Sequence, residues 1–432
     1  EETSAVPDNV PEEEIARRED WRQREVITID PVDAMDFDDA IAVRKLKDGW
    51  ELAVHIADVS HYVKPQSFLD KEAVERGNST YLVDRVLPML PPALSNGICS
   101  LRPGEDRLTC LALMRFDEKG RPGKVRFSKA VIHSMARLTY EEAQVLLTEK
   151  GGGKVGDIVR QAWELADILR QRRFRQGALD MEFAEVRIVL NKKGEPTGYK
   201  REEYNESHQL IEECMLAANE AVARALKKRQ RPAIYRIHED PEQEKLNEYA
   251  ELARSHGYEP GDLTNRKHIQ KLLRQAKGTM EEHAIKIGLL KSLKRAAYRA
   301  EPLGHYGLAK TDYTHFTSPI RRYADLIVHR AIEPLLSNPP EELDQVPDKA
   351  HCEEIANHIS ETERVSASAE EESRRMKMLE YLMLCSQNEE PSVFAGVITE
   401  VRRIGLMVEA TEIQQKGLVK RGGFPKGNWR LE

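Results

Sequence analysis

Three short apolar runs, Val26-Ile27-Thr28-Ile29, Ala40-Ile41-Ala42-Val43 and Leu52-Ala53-Val54-His55-Ile56, follow one another near the start of the chain, each bounded by polar or turn-forming residues. Runs of that length with β-branched side chains predict strands. From about residue 139 the apolar positions recur every three or four residues, so 157–174, 207–229, 242–255, 318–336 and 350–387 predict helices. The tail returns to short strands at 393–401, 406–409 and 417–420, with a glycine-containing turn at 402–405. That pattern reads as the opening of a small OB-type barrel. Residues 1–24, rich in Glu, Arg and Pro, read as a linker with a short helix from Pro11. The expected fold class is mixed α/β (α+β), with the main body over 25–388 and a partial OB-type β-barrel over 392–432. No internal repeat interrupts this organisation.

Composition narrows the picture. A chain of 432 residues, 40% hydrophobic and 32% charged, has material for more than one core and is neither collagen-like nor disordered. No apolar run approaches the roughly 18 residues that span a bilayer, so no membrane partner is expected. Glu1–Val10 lacks the basic and apolar regions of a signal peptide, and the missing first Met reads as a processed or excised piece. Five cysteines without paired spacing predict neither a disulfide framework nor a zinc site, which points to a reducing cytoplasm. The net charge of -7 leaves room for a basic channel only as a local feature.

The chemistry concentrates in Asp30, Asp33, Asp36, Asp38 and Asp39, five carboxylates within ten residues directly after a strand. Brought together they repel unless a cation sits among them. Hard carboxylate oxygens suit Mg²⁺, with Mn²⁺ the other candidate, and two such ions can serve an in-line phosphoryl displacement. An EF-hand is excluded, since no register starting on these aspartates puts Gly sixth and Glu twelfth. A solvated acidic loop would not interleave Met35 and Phe37. The spacing of His55, Asp58 and His61 matches no helical metal motif and reads as structural hydrogen bonding. Ser318 and Pro319 read as N-cap and first residue of a helix whose N–H groups, with Arg321 and Arg322, form an anion site. His208, Glu212, Met215 and Asn219 form a polar stripe, read as either a lined cleft or a wet face. Basic groups at 170–175, 227–231 and 291–299, with Tyr81, Tyr140 and Phe174, fit a groove that tracks phosphates and stacks bases.

Taken together, Thr28-Ile29-Asp30 with Asp36-Phe37-Asp38-Asp39, and the blocks His55–Val63, Leu94–Leu101, Arg175–Leu179, Leu210–Leu216 and His315–Tyr323, resemble the ribonuclease II and ribonuclease R family in its order. The resemblance runs from about 25 to 388. It implies an RNB-type catalytic domain with a mixed sheet and long helices, acting on single-stranded RNA; a monomer is the expected form. It further implies processive 3′-to-5′ hydrolysis to nucleoside 5′-monophosphates with a divalent metal. By the same resemblance Asp30, Asp36, Asp38 and Asp39 hold metal, Asp38 and Arg321 serve the chemical step, and Tyr81 stacks on the terminal base. Tyr140 and Glu212 match a pair near that end, Glu370 falls near a glutamate by the active site, and Ser318 and Arg322 belong to the phosphate-binding block. Met181 stands where the family usually has Phe, a weaker clamp. Two other classes remain: a non-catalytic RNA-binding member, and a small-molecule phosphohydrolase that needs no aromatic or basic groove.

Overall fold

The computed structural model describes residues 2–7, 9–149, 151–181, 183, 185–338, 347–387 and 392–423. A seven-stranded mixed sheet organises the body: β1 (Glu19–Asp20), β2 (Ile27–Asp30), β3 (Asp39–Leu46), β4 (Gly49–Ala57), β5 (Asp106–Phe116), β6 (Pro122–His133) and β7 (Ala136–Thr139). Their spatial order is β1-β6-β5-β4-β3-β2-β7. β1 runs parallel to β6 and β2 parallel to β7, while the other neighbours are antiparallel.

The central strands are buried on both faces, and side chains alternate between two cores. Leu52, Val54, Ile56, Cys110, Ala112 and Met114 face the helices Gly153–Arg175 and Glu206–Lys228. Ala53, Ala57, Leu111, Ala130 and Ile132 join the opposite core with residues of the helix Tyr323–Ile332 and the long helix Lys349–Cys385. A third cluster holds the helices Gln243–Ser255, Arg266–Ala276 and Glu282–Ser292 together.

Three expectations need adjusting. The stretch read as a linker already contributes strand β1 at Glu19–Asp20, because Arg18 is drawn inward to the buried Asp58 at 2.7 Å and Trp21 is buried beside it. The periodicity does not predict strands β5 and β6. The helix expected from Ser318 begins only at Tyr323; residues 319–321 form a turn and Arg322 is extended, bridged to Asn78.

At the C-terminus Gly396–Arg402, Gly405–Ala410 and Gln415–Lys420 form an antiparallel meander. The expected OB-type barrel is not closed among the described residues, which form a three-stranded sheet here, and 388–391 and 424–432 lie outside them. The tight turn requires Gly405, where φ is +154° and a Cβ would lie 2.1 Å from the Val419 carbonyl oxygen. Ile413, Phe394 and Ala410 anchor this unit on the hairpin Glu185–Leu190/Pro196–Glu202 and on Met378 of the long helix. All five cysteines are buried free thiols. Among the described residues no helix is long and apolar enough to cross a membrane.

Candidate active site

Sheet topology brings the acidic residues together. Asp30 is the last residue of β2 and Asp39 the first of its antiparallel neighbour β3, so both stand at one end of the sheet. The loop between them is fixed at several points. Ser100 Oγ accepts from Phe37 N at 3.0 Å and donates to the Met35 carbonyl at 2.8 Å, and Leu101 N donates to the Phe37 carbonyl at 3.0 Å. Arg137 donates to the Pro31 and Val32 carbonyls at 2.6 and 3.1 Å and covers the Phe37 ring. Asp33, the fifth acid of the run, is exposed and paired with Arg187, outside the cluster.

Burial, and then the neighbouring Asp39, push the Asp30 carboxyl up to about 8. Burial likewise raises Asp39 to about 6 against the lowering pull of Arg321 and Arg322. Asp38, 4% exposed, is raised well above the carboxylate range by burial, opposed by Arg321. Its Oδ1 accepts from Ile320 N at 2.9 Å, but its Oδ2 and the Oδ2 of Asp30 are buried without a hydrogen-bond partner. Buried carboxylate oxygens left unpaired at one sheet end are a costly arrangement that a divalent cation resolves. Among the described residues no three His, Cys, Asp or Glu side chains converge into a ready ligand cage. Mg²⁺ does not require one, since it binds through one or two carboxylates and keeps water in its other positions. The donor chemistry of Asp30, Asp36, Asp38 and Asp39 fits such an ion. By contrast His55, bonded to Thr109 Oγ1 at 3.1 Å, and Asp58, held by Arg18 and by Lys129 at 2.7 Å, are structural as expected.

The segment 318–322 closes one side. Its Ile320 amide is spent on Asp38, and Arg321 places Nε 3.6 Å from Asp38 Oδ2 with the guanidinium half-exposed. Two members of the expected anion site are otherwise engaged. Arg322 grips the buried Asp325 through both Nε and Nη2, at 2.8 and 2.9 Å, so its fork is already occupied. Ser318 is buried; its amide donates to Asp325 at 2.8 Å and its hydroxyl accepts from Arg321 at 3.1 Å. Asp325, which sequence reasoning missed, thus shapes the turn that carries Arg321.

Tyr81 stands beside the acids, 39% exposed, its hydroxyl donating to Asp36 Oδ2 at 3.2 Å. Burial and that carboxylate push its own titration up. Glu370 lies here as well, accepting from Tyr81 N at 2.7 Å, and neighbouring Ser366 bonds Asn78 and Thr80, so the long helix fastens the Tyr81 strand. Asn78, Tyr81 and Glu370 line a cavity of about 230 Å³ together with Arg321 and Arg322. Tyr140 opens the helix Tyr140–Thr148, whose capping box uses Thr139 and Glu142. Thr139 pairs with Asp30 across the parallel strands, which sets Tyr140 next to the acids, stacked on His208 at 3.9 Å. Glu212 reaches Tyr140 only indirectly, through its hydrogen bond with Tyr204 and the Tyr204–His208 ring contact. The polar stripe divides accordingly: Asn219 is interior, bonded to Tyr313 and Phe316. Met181 packs on the third cluster with residues such as Leu179 and Tyr249, not on Tyr81, because the 177–181 segment is tied to Gly307 and Gln270.

With this geometry in view, the sequence profile of the RNB domain matches residues 18–338. The chain belongs to the RNB domain family. Within that family, Ribonuclease R of Aquifex aeolicus is 40% identical over 432 aligned residues, 97% of this chain and 60% of that protein. This chain therefore spans about three fifths of that relative's length. Among solved structures, Mycoplasma genitalium RNase R in complex with ribose-methylated single-stranded RNA superposes with a TM-score of 0.90 at 30% identity, covering 98% of this chain and 67% of that one. Yeast Ssd1, described as a pseudonuclease, superposes at 0.76 with 20% identity over 96% of this chain and 52% of its own. The RNB fold alone therefore does not decide turnover, which depends on the side chains at the site.

Proposed function

We propose that this chain is a metal-dependent 3′-to-5′ exoribonuclease that degrades single-stranded RNA processively to nucleoside 5′-monophosphates. The observation that carries the reading is the burial of Asp30, Asp38 and Asp39 beside Arg321, with Tyr81 bonded to Asp36. Asp30, Asp36, Asp38 and Asp39 would supply carboxylate oxygens for divalent cations, Mg²⁺ or Mn²⁺, which when bound would stabilise charge at the scissile phosphate. Arg321, half-exposed with its Nε 3.6 Å from Asp38 Oδ2, offers fork donors to a phosphate oxygen. Tyr81 presents a ring at the same cavity, where stacking of the terminal base sets which phosphate meets the carboxylates. Water adds to phosphorus, the 3′ oxygen of the preceding nucleotide leaves with a proton, and the released nucleotide keeps its 5′-phosphate. A binding-only role leaves the buried acids without a purpose, since neutral residues there would be more stable. Five buried free thiols suit a cytoplasmic location, and we take the acting form to be a monomer. Comparing hydrolysis of an oligoribonucleotide with that of a simple phosphodiester tests the substrate class: similar rates on both would replace RNA with a small-molecule phosphodiester.

A further inference from the structure

A cavity of about 770 Å³ lies apart from the acids, between the β5–β6 hairpin, the end of the helix Gly153–Arg175 and one face of the helix Glu206–Lys228. Strand register measures the separation. Asp39 pairs with Ile56 of β4, whereas Phe116, which lines the cavity, pairs with Trp50 of the same strand. Those six positions along β4 amount to about 20 Å.

The lining is strongly one-signed. It carries eight Lys and Arg side chains and only two carboxylates, Glu213 and Glu220, in a chain whose net charge is -7. Both carboxylates are already matched, Glu213 by the buried Arg173 at 2.9 Å and Glu220 by Lys310 at 2.5 Å and by Arg224. Arg126 turns to Glu19 at 2.9 Å. Lys124, Arg172, Lys228 and Arg229 remain, and their side chains make no hydrogen bond or ion pair among the described residues. They project from a sheet hairpin and two long helices, so they are held near one another by rigid elements rather than by counter-ions. Cations gathered this way raise the local potential and attract multivalent anions. Guanidinium forks suit phosphate oxygens, and the buried rings of Phe116 and Phe127 give an apolar floor. The volume is that of a site for a nucleotide-sized ligand.

We propose that this cleft is a second, non-catalytic binding site for nucleotide phosphates, carried by a free nucleotide or by the RNA strand itself. It stands on the unmatched cations and does not depend on the exonuclease reading. The test is calorimetric titration of the whole chain in EDTA at low salt with ATP and, separately, with a short oligoadenylate. Wild type is compared with Arg172→Glu, with the double variant Lys228→Glu/Arg229→Glu, and with Asp38→Asn. Lys228 and Arg229 are exposed, so their replacement leaves the fold intact, which a matching melting curve verifies. The charge reversals should weaken binding about tenfold or more, while Asp38→Asn keeps wild-type affinity for ATP. A loss confined to ATP assigns the site to a free nucleotide, and a loss confined to oligoadenylate assigns it to the strand. Unchanged affinity for both ligands in the charge-reversal variants overturns the proposal.

Discussion

Replacing Asp30 by Asn should stabilise the metal-free protein, and the size of the gain follows from the site's electrostatics. The Asp30 carboxyl is pushed from 3.8 up to about 8 by burial and by Asp39. A carboxyl whose folded pKa exceeds its unfolded value binds more protons in the native state, so stability falls as pH rises from about 4 toward about 8. At neutral pH the full shift would cost about 4 kcal/mol; partial exposure and sharing of the proton with Asp39 reduce this to about 2–4 kcal/mol. Asparagine cannot ionise, and Asp30→Asn removes that loss. In a chain of this length each kcal/mol moves the melting temperature by about 1 °C, so in EDTA at pH 8 the variant should melt about 2–4 °C above wild type. At pH 4 the two should nearly coincide. Excess Mg²⁺ should narrow or reverse the gap, because wild type gains more from the cation. Equal melting temperatures in EDTA across this pH range would refute the view that burial, with the nearby Asp39, makes the ionised Asp30 carboxylate costly in the folded protein.

Asp38→Asn should abolish RNA cleavage while changing RNA affinity little in a filter-binding assay, since binding is spread over many phosphates and bases. Arg321→Lys should lower kcat by about tenfold or more in single-turnover assays, because a point charge cannot reproduce a two-pronged phosphate contact. Tyr81→Ala should lengthen the smallest end product on a labelled RNA, as it forfeits a stack worth about 1–3 kcal/mol at the end where few other contacts remain. Met181→Phe should leave that end product unchanged, because Met181 packs on the third cluster rather than opposite Tyr81.

The acid site was legible because its members are crowded within ten residues between two strands, a pattern that burial and repulsion make conspicuous. Arg321 was legible for the same reason, as one of adjacent charged residues next to a Ser-Pro pair. The helix start was not. Local capping preferences favour Ser318, but Ile320 N is claimed by Asp38 and Arg322 is extended against Asn78, so tertiary contacts delay the helix to Tyr323. Strands β5 and β6 escaped because segments such as Arg107–Met114 are buried on both faces and lose the alternation that marks a half-exposed strand. Ser100, Arg137 and Asp325 escaped too. The first two hold backbone groups of the acidic loop from far along the chain, and Asp325 acts from inside a helix where it looks like an ordinary polar residue.

Digestion of 5′-labelled single-stranded RNA, resolved to the nucleotide, tests the central claim most directly. With Mg²⁺ the label should shorten in steps of one from the 3′ end and collapse to a short limit product, and EDTA should stop the reaction. Internal cuts, release of label as mononucleotide at the outset, or cleavage that persists in EDTA would contradict the account.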